Sequence, residues 1–261
     1  MKNNFNTKYG PWGIVTGASD GIGRSMAKVL AKKGLNLVLV ARRKELLDTL
    51  AIEIQNEFKV EVRVLALNLS EIESIQIIKN YTKDLNIGLL AAIAGYGTSG
   101  AFIDSDISDE IQMLKVNCQA VIEQCHHYGS LFAKRGSGGI ILVSSIVAFQ
   151  GVPQSANYAA TKAFVQSFAE GIHFELKPYG VDVLVTAPGP VNTGFAKRAK
   201  LKMGKAANPT EIAQSTVASL GKAITVRPGF LSKLLGYSLS IMNRWGRIKV
   251  MTIIMSGMSK K

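Results

Sequence analysis

Asn117, Ser145, Tyr158 and Lys162 follow one another downstream of a glycine-punctuated run, Thr16-Gly17-Ala18-Ser19-Asp20-Gly21-Ile22-Gly23. Tyr158 and Lys162 share a face if they lie on a helix, and such a pair can give or take a proton. Ser145 ends an apolar run, a place where ligands collect in open α/β sheets. The glycine run can hold a dinucleotide. Together the two halves describe redox chemistry between a carbonyl and an alcohol; either half alone would be a weak signal.

The spacing Gly17-x3-Gly21-x-Gly23 falls between an expected strand and an expected helix. There glycine lets the backbone turn tightly and approach a pyrophosphate, and the helix N-terminus offers N–H groups and a positive dipole end. An acidic residue at the end of the next strand would select an unmodified ribose. This chain has Arg42 and Arg43 instead, with Glu45 the first carboxylate after them. Arginine presents a planar donor fork suited to a 2′-phosphate. The expected cofactor is therefore NADP(H) rather than NAD(H), with Arg24 a further candidate for the phosphate.

These side chains need elements to hold them. Strands are expected at residues 12–16, 35–41, 60–67, 89–94, 139–145 and 181–186, and helices at 22–33, 44–58, 70–82, 109–135 and 157–177. Leu46, Leu47, Leu50, Ile54 and Phe58 form one apolar stripe at helical spacing, and Gly34 stands where a C-cap glycine belongs. Apolar strands alternating with helices argue a doubly wound, mostly parallel sheet covered on both faces, a Rossmann-type α/β fold. At 261 residues, 47% of them hydrophobic, the chain suits a single large core. Residues 1–228 are expected to form the cofactor-binding and catalytic domain, and residues 229–261 a basic amphipathic helical extension.

The runs TGASDGIG (16–23), VN (116–117), SS (144–145), YAATK (158–162) and PGPVNT (188–193) closely resemble the short-chain dehydrogenase/reductase family, in its order and at its spacing, over about residues 10–195. The resemblance implies an oxidoreductase interconverting a carbonyl and a secondary alcohol. It makes Tyr158 the general acid or base at the substrate oxygen, and Lys162 the cation that lowers the phenol pKa from its ordinary value of about 10 and bonds the nicotinamide ribose. Ser145 would polarise the carbonyl, and Asn117 would kink its helix and hold a water relaying protons to Lys162. Gly17, Ser19, Asp20, Gly21, Ile22 and Gly23 would hold the dinucleotide's phosphates, while Pro188, Gly189, Val191 and Thr193 would shape the nicotinamide pocket. Ser144 is read as structural. The resemblance also implies a homodimer or homotetramer assembled through the two long helices near residues 109–135 and 157–177.

Two segments depart from the family pattern. Ala92-Ile93-Ala94-Gly95 stands where the family carries Asn-Asn-Ala-Gly, which removes amides expected to tie the central strands. Gly95, the close approach to the cofactor, is kept. Asn68 replaces the aspartate that contacts adenine; its amide can still donate and accept.

Residues 183–261 hold 13 Lys and Arg against Glu211 alone, whereas the preceding residues are nearly balanced. No nucleic-acid recognition motif accompanies this charge, so an acidic substrate, an acidic protein or an anionic membrane face is the expected attraction. Residues 195–205 read as a flap over the site, with Phe195, Leu201 and Met203 toward a hydrophobic substrate (3-oxoacyl, steroid-like or another lipid ketone). Lys197, Arg198, Lys200, Lys202 and Lys205 would face an anionic carrier. In the extension, Leu231, Leu234, Leu235, Leu239 and Met242 recur at helical spacing beside Lys233, Arg244, Trp245, Arg247 and Lys249. That pattern fits peripheral membrane contact, a carrier-protein surface, or a helix packed on its own domain.

No targeting peptide or membrane-spanning run is visible, and only Cys118 and Cys125 are present. A cytoplasmic setting and no metal site are expected. His126, His127 and His173 read as packing or surface residues. Two rival readings remain beside the enzyme: a non-catalytic NADPH-binding sensor or scaffold, and a lipid-surface module carried by the extension.

Overall fold

The apolar runs become strands where they are covered on both faces. The computed structural model describes residues 4–199, 201 and 206–258. Among these, β1 (Trp12–Thr16), β2 (Asn36–Ala41), β3 (Val62–Ala66), β4 (Ile87–Ala92), β5 (Gly138–Val143), β6 (Val181–Thr186) and β7 (Thr225–Val226) form one parallel sheet in the order β3-β2-β1-β4-β5-β6-β7. Alternate residues face opposite layers. Val15, Leu37, Leu39 and Leu184 pack against α2 (Gly21–Lys32), α3 (Lys44–Phe58) and α9 (Pro209–Ser219). Ile14, Val38, Val40, Ile140 and Val183 pack against α4 (Ser74–Thr82), α6 (Ala120–Arg135) and α7 (Ala156–Leu176). A short α1 (Asn4–Tyr9), which the sequence did not suggest, precedes β1. The strand order reverses at β1, with β2 on one side and β4 on the other, so a crevice opens above their carboxyl ends.

That crevice is closed below by backbone contact. Gly17 has φ +68°, and a Cβ placed on it would lie 2.8 Å from the Cα of Ala94. The amides expected to be missed at positions 92 and 93 are replaced by a hydroxyl: Thr16 Oγ1 accepts from the N–H groups of both Ile93 and Ala94, at 3.1 and 3.2 Å. The β1–β4 join is therefore held from the other strand.

Three elements differ from the sequence expectation, each for a local reason. The helix expected from residue 70 begins at Ser74. Asn68 Oδ1 accepts from Ser70 N–H and its Nδ2 donates to Glu71, so a side-chain-bonded turn occupies the first residues. The long helix over 109–135 is three pieces: α5 (Ile107–Leu114), a π-helical turn Lys115–Gln119, and α6. The buried Asn117 lies at the centre of that turn, and such single π-helical turns interrupt the ordinary ladder and bend a helix. The extension is two helices, α10 (Phe230–Ser240) and α11 (Arg244–Met258), following a four-residue α8 (Phe195–Arg198) and α9. Leu239, Met251 and Met255 bury against Val152 and Ala159, so one apolar face of the extension packs on the body of the protein.

Candidate active site

The glycine run forms the floor of a cavity of about 790 Å³. Gly17, Ser19, Asp20, Gly21, Ile22 and Gly23 line it, together with Arg42, Arg43, Asn68 and Gly95. A Cβ on Gly23 would lie 2.2 Å from the Gly17 carbonyl oxygen, so this turn tolerates no side chain there. Asp20 caps α2, accepting from Gly21 N–H at 2.7 Å. The remaining first-turn N–H groups have no partner within the helix and face the position a phosphate would take. Arg43 reaches back over the turn, donating to Ser19 Oγ at 3.0 Å. A glycine floor, a helix N-terminus and paired guanidinium groups at the end of β2 fit a dinucleotide carrying an extra phosphate. Arg24 does not contribute. Its guanidinium is held by both carboxylate oxygens of Glu53, at 2.6 and 2.7 Å, and it does not line the cavity.

Three of the four residues expected to carry proton transfer meet at the cavity. β5 ends at Val143 and delivers Ser144 and Ser145; the first turns of α7 deliver Tyr158 and Lys162. Ser145, Tyr158 and Lys162 all line the cavity. Ser144 also lines the cavity, and its hydroxyl donates to the Lys162 carbonyl at 2.9 Å, bracing α7 against β5. Burial pushes the Tyr158 phenol up to about 12, against a smaller downward pull from its hydrogen bond with Ser145. Burial also pulls the Lys162 ammonium down to about 8. The only downward pull on the phenol comes from Ser145, and not from Lys162 as expected, and burial outweighs it. Lys162 Nζ donates to the Val143 carbonyl at 2.9 Å and stands 5.8 Å from the centre of the Tyr158 ring.

Asn117 is absent from the cavity wall. Its Nδ2 donates to the Tyr96 carbonyl at 2.8 Å and to Thr161 Oγ1 at 3.0 Å, while its Oδ1 accepts from Tyr96 N–H at 3.1 Å. The side chain thus ties the segment after β4 to the catalytic helix, and its amide donors are not free to hold a water. The helix kink expected of it is present as the π-helical turn.

Pro188, Gly189, Val191 and Thr193 complete the inner wall. The Thr193 methyl packs on Gly21, where a Cβ would come within 2.6 Å of it. Gly189 N–H donates to the Ser232 hydroxyl of α10 at 2.7 Å, a tie between the inner wall and the extension that no motif signals. The outer wall is apolar: Leu235 and Leu239 of α10, and Met251, Ile254 and Met255 of α11. The four-residue recurrence of Leu235 with Leu239, and of Met251 with Met255, marks an inward face, but only packing shows what it faces.

Of the expected flap, Lys200, Lys202, Met203 and Lys205 fall outside the described residues. Phe195 packs on Tyr158 with ring centres 5.2 Å apart, and Leu201 lines the cavity. The Arg198 guanidinium lies 3.5 Å above the Tyr96 ring and 3.7 Å from Asp109. The described start of the flap is thereby held by Tyr158 of α7, by Tyr96 after β4 and by Asp109 of α5.

Comparison with known proteins agrees with this geometry. The sequence profile of the short chain dehydrogenase family matches residues 12–204. A 7beta-hydroxysteroid dehydrogenase of Clostridium sardiniense is 35% identical over 234 residues, 88% of this chain and 90% of that protein. A human very-long-chain 3-oxoacyl-CoA reductase is 31% identical over 245 residues, 92% of this chain and 78% of that protein. A solved 7beta-hydroxysteroid dehydrogenase superposes with a TM-score of 0.88 at 28% identity, covering 95% of this chain and 98% of that one. A short-chain dehydrogenase from Sphingobium yanoikuyae in complex with NADPH gives a TM-score of 0.78 at 28% identity, over 84% and 87%.

Proposed function

The chain belongs to the short chain dehydrogenase family, and from that premise we propose that it is an NADP-dependent oxidoreductase interconverting a carbonyl and a secondary alcohol on a bulky apolar substrate. The observation that carries the reading is one continuous cavity. It runs from the Gly17–Gly23 floor, past Tyr158 and Ser145, to walls of Leu, Ile and Met.

The dinucleotide's phosphates would rest on the α2 N-terminus, with Arg42 and Arg43 at the 2′-phosphate. The nicotinamide, when bound, supplies or accepts the hydride. Tyr158, neutral up to about pH 12, is a proton donor near neutrality and delivers its proton to the substrate oxygen in the reductive direction. Ser145 bonds the same oxygen and stabilises developing charge. Lys162, still cationic below about pH 8, balances the phenolate left behind. Asn117 holds Thr161, the residue before Lys162, and so positions the pair. Phe195 covers Tyr158 and keeps bulk water from the proton.

The apolar walls favour a fused-ring or long-chain ketone, and the chain's similarity to a hydroxysteroid dehydrogenase and to a 3-oxoacyl-CoA reductase points the same way. Lys197 and Arg198 at the rim suit a substrate with an anionic end or a thioester carrier. Exposed Ile111, Ile122, Leu131 and Phe174 on α5, α6 and α7 support self-association through those helices. Among the described residues no helix is long and apolar enough to cross a membrane.

The test is Tyr158→Phe, assayed with NADPH against steroid ketones and a 3-oxoacyl chain-length series. Loss of roughly 10²–10⁴-fold in kcat with NADPH affinity unchanged is expected for a general acid. Undiminished turnover would sink the assignment. NADPH binding by wild type without turnover on the panel would favour the sensor reading.

A further inference from the structure

The extension has two faces, and the cavity uses one. On α10, Leu235 and Leu239 turn to the cavity. Phe230, Leu234, Tyr237 and Ile241 recur at intervals of four, three and four residues, one stripe of a 3.6-residue helix, on the side opposite Leu235 and Leu239. These four side chains are between 50% and 80% exposed. Trp245 and Ile253 of α11 are exposed as well, at 65% and 73%. Single exposed apolar residues are ordinary; a four-residue stripe on α10 followed within four residues of chain by an exposed tryptophan on α11 marks an interaction surface. Exposed Lys233, Arg244 and Lys249 flank it, with the Lys249 ammonium 4.0 Å from the centre of the Trp245 ring. No acidic residue follows Glu211 anywhere in the chain.

We propose that the outer face of α10 and α11 docks this protein on an anionic lipid surface. The apolar stripe would enter the boundary between headgroups and acyl chains, and the flanking cations would remain among the headgroups, the arrangement of interfacial amphipathic helices. A second copy of the chain is the competing occupant. It would bring two basic faces together with no carboxylate in either extension to pair them, and like charges oppose such contact. An anionic surface meets the same charge with its opposite. Docking also sets the helices whose inner face walls the cavity against the phase that concentrates apolar substrates.

The experiment uses the full chain and two vesicle types, phosphatidylcholine alone and phosphatidylcholine mixed with phosphatidylglycerol. Retention is read by sedimentation and docking by tryptophan emission. The chain has two tryptophans, and Trp12 is buried, so a blue shift on adding vesicles reports Trp245; Trp245→Phe removes it. Wild type is expected to partition into the mixed vesicles and to leave them as salt is raised. The triple variant Lys233→Gln, Arg244→Gln, Lys249→Gln is expected to lower the partition coefficient about a hundredfold, with NADPH binding unchanged as evidence that it folds. Ile241→Ser should weaken docking without changing the salt dependence. Equal partition into both vesicle types, no partition into either, or dissociation of an oligomer by Ile241→Ser would overturn the proposal. The readout is binding, so it stands or falls separately from any turnover.

Discussion

Tyr158 and Lys162 are buried side by side, and desolvation disfavours the charged form of each. The phenol rises to about 12 and the ammonium falls to about 8. For Lys162 the charge is present below its pKa and lost above it, while Tyr158 keeps its proton throughout the working range. Reductive kcat/KM is therefore expected to fall as pH rises through about 8, by about tenfold per unit well above it. Lys162→Met should leave a low rate without that limb. A pH–rate profile at saturating NADPH checks both. At the ribose end, Arg42→Ala or Arg43→Ala should each weaken NADPH by roughly 10–100-fold and leave NADH nearly unchanged, the loss expected for a charged hydrogen bond; fluorescence titration with the two nucleotides separates them. Arg24 carries the same charge and was legible as the same kind of candidate. Its removal to Glu53 was not legible, because that carboxylate lies 29 residues away in sequence and the pair forms only when α2 and α3 pack.

Elements were easier to read than their ends. The strand–helix alternation was visible because strands covered on both faces are apolar throughout and the helices keep one apolar stripe. The kink at Asn117 was expected from the family resemblance, but its form, a π-helical turn at Lys115–Gln119 with Asn117 bonded to Tyr96 and Thr161, was not. The start of α4 was hidden by bonds local to Asn68 and Glu71. α3 ends at Lys59, which takes φ 58° in the left-handed region without being glycine. That conformation costs an L-residue about 1–2 kcal/mol. Lys59→Gly is accordingly expected to stabilise the protein by about 0.5–1 kcal/mol after the added freedom of the unfolded chain is counted. A rise in the denaturant midpoint with unchanged slope would show it.

At the scale of the whole molecule, the extension and the catalytic body share a core. Met251 and Met255 rest on Val152 and Ala159, and Ser232 holds Gly189 beside the cofactor pocket. Neither α10 nor α11 has a core of its own. In each single-tryptophan variant, denaturant unfolding followed by fluorescence (Trp12 of β1 in a Trp245→Phe background, Trp245 of α11 in a Trp12→Phe background) is expected to coincide with unfolding of that same variant followed by far-UV circular dichroism. An earlier transition at Trp245 would mean the extension melts alone. The sequence by itself determined the parallel sheet, the glycine turn between β1 and α2, and the helical pairing of Tyr158 with Lys162, because these rest on periodicity and short-range spacing that each segment carries within itself. Tertiary structure alone decided that Lys162 turns to the Val143 carbonyl, that Asn117 ties the segment after β4 to α7 and stays off the cavity wall, and that α10 and α11 wall the cavity. Those outcomes depend on burial and on partners distant along the chain, which exist only after the layers have closed.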